Sequence, residues 1–361
     1  MFDLFTSMGT AVQGAAAQGV LWGVMTLGLY ITYKVLDFAD LTVDGSFALG
    51  GAVSATLIVA GMDPFFSLLM ALLAGMLSGV ATGLLHTKLK IPGILAGILT
   101  MIALYSINIR IIGAANVPLL GERTVITTIT DLLPLGKNWA AILLGTLIVA
   151  LVVGAMYWFF GTEIGCAIRA TGSNEHMVRA LGVSTDAMKI TGLALGNGLV
   201  ALSGGLVAQS QGYGDVGMGT GTIVIGLASI IIGEVIFGAK GNFARRLLSV
   251  VLGSVVYRVI IALVLRLGLK STDLKLLTAV IVALALSIPV LRRDRTLRFY
   301  GGVLLAGAIF YLVLVKAAAA FAPDNTTLLF VARGAAFGAT FWGCSGKWAS
   351  DRRRMATILK Q

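Results

Sequence analysis

The stretch from residue 141 to residue 189 reads AILLGTLIVALVVGAMYWFF and then GTEIGCAIRATGSNEHMVRALGVSTDAMK. Its first part is long and apolar enough to be a helix that crosses a bilayer, which takes about 20 residues. Its second part is the one substantial polar stretch between the long apolar runs of the chain. The stretch therefore predicts a membrane helix that leads into a structured surface in water.

Residues 163–189 are patterned as two short amphipathic helices and the start of a third. Ile164, Ile168 and Thr171 recur at helical spacing, and Gly172 breaks that run. The second helix carries three apolar residues, Met177, Val178 and Leu181. Caps and stops suited to the later helices are Ser173 or Asn174, Gly182 and Ser184. A connector that only joins two spans needs neither caps nor amphipathic faces, so this pattern predicts a docking surface for a soluble partner.

Composition places the chain in a membrane. Hydrophobic residues make up 58% of it and charged residues only 12%, whereas about a quarter of the residues of soluble domains are charged. The 46 glycines suit closely packed helices, because small side chains let membrane helices approach each other. We predict an all-α fold, a polytopic transmembrane helical bundle. Its apolar segments are 15–33, 42–60, 64–86, 91–111, 138–160, 188–209, 219–238, 247–265, 273–291, 299–320 and 328–345.

Basic residues fall in short clusters between the apolar runs, which argues against a nucleic-acid surface despite the net charge of +11. By the positive-inside rule these clusters mark the cytoplasmic side. They are Lys240, Arg245 and Arg246; Arg292, Arg293, Arg295 and Arg298; and Lys347 with 352–354. The rule is followed only in the majority, since Arg266, Lys270 and Lys275 fall on the other face. The two cysteines, Cys166 and Cys344, both fall on the predicted cytoplasmic side and indicate no disulfide framework.

Two interruptions of the apolar pattern are alike. TVDGSFALGGAV at 42–53 and GYGDVGMGTG at 212–221 each place an acid beside glycines, Asp44 and Asp215, just before an apolar run. The segments 42–60 and 212–221 are therefore candidates for broken or re-entrant helices that line a polar cavity. Two related halves of the chain are a further reading of the same pattern.

The sequence supports neither a nucleotide-binding motif nor a metal site. Residues 212–217 satisfy G-x-G-x-x-G without a βαβ unit around them, and residues 233–240 lack the Ser or Thr and the preceding strand of a phosphate loop. His86 and His176 have no ligand partners at metal spacing. We expect no metal site and no cofactor bound by this chain itself.

Polar side chains in or beside the predicted spans are candidates for a transport path, because burying them in hydrocarbon is costly unless they face a cavity or one another. These candidates are Asp44, Asn108, Asn197, Gln209, Gln211 and Asp215. Packing and hydrogen bonding between helices is the other reading of each. Glu234 and Arg258 lie on consecutive predicted spans and are candidates for a structural ion pair.

The acidic residues lie mostly at the ends of spans, with Glu234 as the main exception. A proton- or sodium-coupled carrier is expected to place carboxylates deep in several helices. Energy for transport is therefore expected from outside the chain, through the polar stretch 163–189.

The sequence from residue 165, GCAIRATGSNEHMVRALGVSTDAMKITGLALGNGLVALSGGL, resembles the cytoplasmic loop and following helix of bacterial ABC importer permeases of the branched-chain amino acid and simple sugar type. The usual pattern of that family is G-x-A-x-R-A-x-G-x-N, followed by an A-x-x-x-G-I/V step. The matching residues are Gly165, Ala167, Arg169, Ala170, Gly172, Asn174, Ala180, Leu181 and Gly182. Segments such as GLASIIIGEVIFG resemble a subgroup usually encoded beside a lipoprotein-like binding protein of the tryptophan and tyrosine type. The resemblance covers about residues 15–295.

This resemblance implies a type II-like importer permease with about nine core spans, multi-pass in a bacterial plasma (inner) membrane. It implies a pair of permease copies, a homodimer, with two ATPase subunits below that hold the ATP and a solute-binding protein above. Residues expected to couple to the ATPase are Gly165, Ala167, Arg169, Ala170, Gly172, Asn174, Arg179, Leu181 and Gly182. Charge reversal at Arg169 or a bulky residue at Gly172 is expected to uncouple ATP hydrolysis from uptake and to leave insertion intact.

Residues 1–295 are expected to form the permease domain, and residues 299–361 an additional transmembrane hairpin with a basic cytoplasmic tail that the resemblance does not explain. The expected function is import of a small solute, foremost an amino acid, aromatic or branched-chain. An ATP-independent secondary carrier or channel is the main alternative. A membrane enzyme acting on lipid is a second one, although no paired His or carboxylate cluster lies at a predicted membrane surface.

Overall fold

The computed structural model describes residues 2–132, 136–238, 242–266 and 278. All of them belong to one compact unit, Met1–Val282, and a second unit spans Ala283–Gln361. Outside the described residues lie the predicted boundary between residues 295 and 299 and nearly all of three predicted spans, 273–291, 299–320 and 328–345.

The described residues form a helical bundle with one short antiparallel strand pair. Its helices are α1 (Phe2–Tyr30), which continues as a π-helical turn (Ile31–Val35), α2 (Thr42–Val59), α3 (Pro64–Thr87), α4 (Gly93–Ile112), α5 (Val125–Leu132), α6 (Lys137–Phe159), α7 (Glu163–Ser173), α8 (Glu175–Ala180), α9 (Thr185–Gln211), α10 (Thr222–Phe237) and α11 (Phe243–Arg266). The strands are β1 (Asn116–Pro118) and β2 (Tyr213–Asp215), with Asn116 opposite Asp215.

Seven of the described helices are long and apolar enough to cross a membrane. They are Gly9–Val35, Thr42–Val59, Pro64–Thr87, Gly93–Ile112, Lys137–Phe159, Thr185–Gln211 and Phe243–Leu265. Each overlaps a span predicted from the apolar runs, because about 20 apolar residues in a helix match the thickness of a bilayer. The predicted all-α membrane bundle is confirmed.

Helix α2 is continuous over 18 residues, so the broken or re-entrant alternative for residues 42–60 is wrong. Its glycines serve contact between helices. A Cβ atom added to Gly50 would collide with the backbone of Ala201 in α9. Where lipid offers no hydrophobic drive for association, such close backbone approach lets van der Waals contact hold helices together.

The segment between β2 and α10 runs back along α2 without helical structure. Gly214 lies against Ala55, Met218 against Gly51, and Gly219 against Asp44. Ala55 and Asp44 are 11 residues apart on α2, a rise of about 16 Å. Residues 212–221 therefore form a broken segment that dips into the bundle from the end of α9, and we call it the re-entrant segment. The chain does not turn back but continues as α10, a helix of 16 residues within the predicted span 219–238, whose Glu234 reaches Lys34 at the end of α1.

Basic residues separate the two sides of the bundle. The α1–α2 connection, the end of α3 and the α7–α8 pair lie on one side, where the ring of Phe38 contacts that of His86 at 5.1 Å and His86 Nε2 is 3.5 Å from Lys189 Nζ. Near this side lie Lys34, Lys88, Lys90, Arg169, Arg179, Lys189, Arg245 and Arg246; toward the other lie Arg110, Arg123 and Lys137. The positive-inside rule therefore assigns the α7–α8 side to the cytoplasm.

Candidate coupling surface and transport path

Helices α7, α8 and α9 each begin at a capping side chain. Thr162, Asn174 and Ser184 accept hydrogen bonds from backbone N–H groups in the first turns of these helices, at 3.3, 3.0 and 3.4 Å. Gly182, with φ of +82°, follows the end of α8 in the left-handed region that favours glycine. The predicted caps Asn174 and Ser184 and the stop at Gly182 are confirmed.

Gly172 has a different role from the one its position suggested. Helix α7 continues through it to Ser173. A Cβ atom at residue 172 would collide with the carbonyl oxygen of Val35 and approach the backbone of Leu36. The glycine therefore lets α7 lie directly on the cytoplasmic end of α1, and the prediction that it breaks the helix is wrong. A bulky residue there tests how α7 packs, not how a partner docks.

One face of the α7–α8 pair packs inward and the other lies open. Ile168 and Val178 are buried, at 0% and 2% exposure. Ile164, Met177 and Leu181 are exposed at 51%, 49% and 73%. Met177 and Leu181 are four residues apart and so lie on one side of α8, and exposed apolar side chains grouped in this way commonly mark an interaction site. Of the predicted apolar positions, Ile168, Thr171 and Val178 are buried, whereas Ile164, Met177 and Leu181 are open to solvent.

Arg169 contacts the bundle as well as solvent. Its guanidinium lies 5.5 Å from the ring centroid of Phe243, the first residue of α11. The Phe243 ring in turn lies 5.3 Å from that of Phe160, which follows α6. A cation over an aromatic face is attracted by the ring quadrupole. Arg169 therefore helps to hold α7 on α11, while the neighbouring Ala167 and Ala170 are half-buried.

Glu175 ties α8 to α9. Its carboxylate accepts from Lys189 Nζ at 2.7 Å and from Arg179 Nη2 at 2.9 Å. The hydrogen bond from Lys189 is the largest cause that lowers the pKa of the Glu175 carboxyl. Arg179 also donates to the Thr185 hydroxyl at 2.9 Å. Arg179, predicted to contact the ATPase, is thus engaged within the chain, and these contacts fix the predicted docking surface on α9.

Asp44 caps α10 from another helix. Its carboxylate accepts from the Gly221 N–H at 2.9 Å, the Thr222 hydroxyl at 2.7 Å and the Ile223 N–H at 3.0 Å. The first N–H groups of a helix have no partner within it, and a negative charge there is favourable. Asp44 therefore fixes the point at which the re-entrant segment becomes helical.

Asp44 and Asn108 lie in one cavity of about 350 Å³ between α2, α4 and the re-entrant segment. Val216, Gly219 and Thr220 form the wall opposite α4. Asn108 Nδ2 donates to the Gly45 carbonyl at 3.3 Å, and its buried Oδ1 has no partner among the described residues. A buried amide oxygen with free acceptor capacity suits a polar ligand or water. These two of the predicted path residues are thus brought together.

Asn197 belongs to a separate, fully buried network. Its Nδ2 donates to Asp40 Oδ2 at 2.6 Å, and its Oδ1 accepts from the Ser46 hydroxyl at 2.7 Å. Ser46 also bonds to Ser78 at 2.8 Å. Asp40 lies in the connection between α1 and α2, where burial raises the pKa of its carboxyl. This network joins the α1–α2 connection, α2, α3 and α9.

The remaining path candidates lie toward the opposite end of α9. Gln209 Nε2 donates to the Ser54 and Ser67 hydroxyls at 3.0 and 3.1 Å, and Oε1 accepts from the Val125 N–H at 2.9 Å. Gln209 therefore clamps α2, α3 and α5 as a structural residue. Gln211 is the half-buried last residue of α9, and Asp215 ends β2.

The predicted ion pair between Glu234 and Arg258 is wrong. Glu234 bonds to Lys34 at 3.1 Å, and Arg258 lies over the Trp22 ring at 3.9 Å from its centroid. The hairpin of α10 and α11 places Gly233 opposite Ser249. Arg258 is nine residues beyond Ser249, about 13 Å further along α11. Glu234, in the last turn of α10, instead joins α10 to the π-helical turn at the end of α1.

Sequence reasoning missed Asp40 and its hydroxyl partners. The signal was present in LDFADLTVD, where Asp37, Asp40 and Asp44 follow one another within eight residues of an apolar run. Only the structure shows that Asp37 takes a left-handed φ of 52°, that Asp40 is buried and that Asp44 reaches α10. Asp40 follows a long apolar run, where a polar residue is expected simply to end a membrane helix, and its burial depends on contacts with α2, α3 and α9 that no local pattern shows.

Comparison with known proteins gives consistent matches. A family model described as the branched-chain amino acid transport system permease component matches residues 12–291. The tyrosine transport system permease protein of Clostridioides difficile (strain R20291) is 40% identical over 273 residues, which cover 76% of this chain and 89% of that protein.

Two further relatives are more distant. The uncharacterized protein RP368 of Rickettsia prowazekii (strain Madrid E) is 33% identical over 276 residues, 76% of this chain and 95% of that protein. The autoinducer 2 import system permease protein LsrC of Yersinia pseudotuberculosis serotype O:1b (strain IP 31758) is 31% identical over 166 residues, 45% of this chain and 44% of that protein.

Proposed function

Because the chain belongs to the family of branched-chain amino acid transport permease components and is a multi-pass transport subunit of the inner membrane, we propose that it imports an amino acid, aromatic or branched-chain. The energy comes from ATP hydrolysed on a separate ATPase subunit. An external solute-binding protein delivers the solute, and a second copy of the permease completes the path.

The observation that carries this proposal is the open apolar face of α7 and α8. Met177 and Leu181 project from α8, whose Val178 is packed on the bundle, and Ile164 is exposed at the start of α7. Rigid helices transmit a push that a flexible connector would absorb. This surface therefore suits a soluble subunit that changes shape as it binds and hydrolyses ATP.

A connected set of contacts leads from this surface to the cavity. Helix α7 lies on the end of α1 at Gly172 and Val35. The short connection after α1 leads to α2, where Asp44 holds the start of α10. A displacement of α7 is thus expected to shift α1, the first turn of α2 and the re-entrant segment together.

The proposal that the solute is an amino acid rests on the relatives and on the volume of the cavity. The family model is described for branched-chain amino acid transport, and one relative is named for tyrosine transport. The cavity of about 350 Å³ that holds Asp44 and Asn108 has the dimensions of small-molecule sites. These supports favour an amino acid over a larger solute.

The experiment is reconstitution of the permease with its ATPase and binding protein in liposomes, with uptake of labelled tyrosine and leucine measured beside ATP hydrolysis. Leu181→Asp is expected to release the ATPase and abolish uptake without lowering the amount of inserted permease, because a buried Leu contributes about 1.5–3 kcal/mol. Leu120→Asp is the matched control, since Leu120 is 91% exposed on the opposite side.

Wild-type uptake in Leu181→Asp would overturn the docking role of α7 and α8. Transport by the purified permease alone, without ATP, would instead support a secondary carrier or channel. If the assembly hydrolyses ATP but takes up neither amino acid, the proposed solute class is wrong.

A further inference from the structure

Arg258 lines a cavity of about 420 Å³ at the outer ends of α1, α6, α9 and α11. It lies apart from the cavity that holds Asp44 and Asn108, and nothing in the transport path described above uses it. Gln18, Lys137, Asn138 and Ser210 contribute the other polar side chains of the lining.

The charge of Arg258 is not neutralised by any described residue around it. None of the described residues that line the cavity is acidic. The buried Nε atom of Arg258 has no hydrogen-bond partner among the described residues, and the guanidinium is held in place by the Trp22 ring at 3.9 Å. An ionised side chain inside a membrane bundle is costly and marks a functional site more often than not.

Two further features add positive potential to the same cavity. Lys137 is exposed at the cavity, so it raises the potential where a ligand enters. Lys137 and Asn138 are also the first two residues of α6, and the preceding Gly136 gives no side-chain cap. Free backbone N–H groups at the start of a helix favour an anion.

From these features we propose that the cavity binds the carboxylate of a small amphipathic acid, which is the solute amino acid if the proposed function holds. The guanidinium donates to the carboxylate through two parallel N–H groups, the arrangement for which arginine is best suited. Ala15, Ile261 and Leu265 line the cavity beside it and receive the apolar part of the ligand. The amides of Gln18 and Asn138 can accept from an ammonium group.

The location fits a first binding step from the outside. Lys137 and Asn138 begin α6 directly after the external connection, and Ser210 is the last but one residue of α9. A solute released on this side meets Lys137 before Arg258.

The test is equilibrium binding to the full chain in phosphatidylcholine nanodiscs, followed by saturation-transfer NMR. The probes are L-tyrosine, L-leucine, 3-(4-hydroxyphenyl)propionate, which lacks the ammonium group, and tyramine, which lacks the carboxylate. Binding of the acids and not of tyramine is expected. Arg258→Gln is expected to weaken the binding about 10- to 100-fold, as for a lost charge-assisted hydrogen bond.

Three variants guard against a trivial loss of fold. Arg258→Lys keeps the charge and the buried volume but not the paired donors, so a weakening of roughly 10-fold in a folded protein is expected. Lys137→Gln alters only an exposed side chain and is expected to give a smaller loss. Arg110→Gln removes an exposed outer charge at the end of α4 and is expected to bind as the parent does.

Equal binding of tyramine and the acids, or unchanged binding in Arg258→Gln, would overturn the carboxylate site. Displacement of the acids when phosphatidylglycerol, which is anionic, replaces zwitterionic phosphatidylcholine would assign the cavity to the headgroup of an anionic lipid and overturn the solute assignment. Binding of 3-(4-hydroxyphenyl)propionate without import of any amino acid by the assembled transporter leaves the site standing and removes the proposed function. If Arg258→Gln leaves import unchanged, the site is not part of the transport route.

Discussion

Asn197 shows how one polar side chain holds four parts of a membrane bundle. The Asp40 carboxyl group is buried, forms no ion pair with a described residue and accepts hydrogen bonds from Asn197 Nδ2 and the Thr42 N–H. The Ser46 hydroxyl on α2 donates to Oδ1 of the same Asn197 amide. Hydrogen bonds to a charged group contribute more than those between neutral groups, and an unsatisfied buried group costs more still. Asn197 is therefore a residue whose loss leaves a buried charge short of donors.

Replacing Asn197 with Ala is expected to lower the free energy of unfolding by about 2 kcal/mol, because Asp40 Oδ2 loses its donor from Asn197 in a buried site. Unfolding in detergent, followed by circular dichroism as SDS is added, measures the change. Ser203→Ala is the control, since Ser203 lies on the same helix and gives up its bond to the Leu21 carbonyl. A loss in Asn197→Ala no larger than that in Ser203→Ala would show that the network contributes nothing special.

Glu175 makes the α8–α9 contact dependent on pH. Its folded-state pKa is lowered from the ordinary value of 4.5, chiefly by Lys189. A carboxyl with a lowered pKa stabilises the folded form above its unfolded-state value, and this contribution is lost as pH falls through the lowered value. The α8 helix is therefore expected to stay docked at neutral pH and to loosen only when the pH falls through the lowered pKa, below the ordinary value of Glu175.

A spin label at residue 177, in a background with Cys166 and Cys344 replaced by Ser, reports this loosening as increased mobility on acidification. Glu175→Gln is expected to be mobile at neutral pH and nearly insensitive to acid. Glu163→Gln, at the exposed start of α7, should behave as the parent. Equal mobility of the parent at pH 7 and pH 3 contradicts the role of Glu175.

Helix α10 depends on a neighbour for its beginning. It is short, its N-cap Gly221 has no side chain to offer, and Asp44 supplies the acceptors from α2. The position of the re-entrant segment therefore depends on both α2 and α10. Any movement of the first turn of α2 is thus expected to change the wall of the cavity at Gly219 and Thr220.

Asp44→Ala is expected to destabilise the fold by about 1–2 kcal/mol, as for a lost helix cap, and to reduce uptake by more than it reduces the amount of inserted protein. Uptake in liposomes and SDS unfolding measure the two effects separately. Asp63→Ala removes a cap that serves only α3, through the Phe65 and Phe66 N–H groups, and is the matched control. If both variants lose uptake equally, Asp44 acts only as a cap.

Apolar length and capping chemistry are local properties, and the sequence predicts them well. Seven spans follow from runs of about 20 apolar residues, and Asn174 and Ser184 cap helices where their side chains and spacing indicate. The same pattern names Met177, Val178 and Leu181 together, but only the structure shows that Val178 is buried while Met177 and Leu181 are exposed. The spans and the caps need no knowledge of what lies across the bundle.

Contacts between distant segments are different, because no local pattern encodes them. Gly172 reads as a helix breaker until Val35 is seen against it. Glu234 and Arg258 look like a pair because they lie on consecutive helices, but the hairpin register and Lys34 decide otherwise. Asp44 reads as part of a broken helix, and only the packing of residues 212–221 along α2 shows which segment is broken.

The chain extends beyond the residues that the family model matches. The family model ends at residue 291, and the predicted extra hairpin and basic tail occupy residues 299–361. The docking surface at α7 and α8, the network at Asp40 and both cavities lie within residues 14–265. Coupling and the proposed solute sites are therefore contained in the part shared with relatives.

Removal of residues 299–361 is consequently expected to leave ATP-driven uptake within about twofold of the full chain, because the family match ends at residue 291 and the proposed coupling surface and both cavities are built from residues 14–265. Uptake per inserted permease in liposomes, with ATP hydrolysis measured in parallel, checks this. Leu181→Asp in the shortened chain serves as the control, because it should still abolish uptake if the same machinery is at work. A shortened chain that inserts and binds its ATPase but does not import would make residues 299–361 a working part of the transporter, and the function would then belong to both units and not to the family core alone.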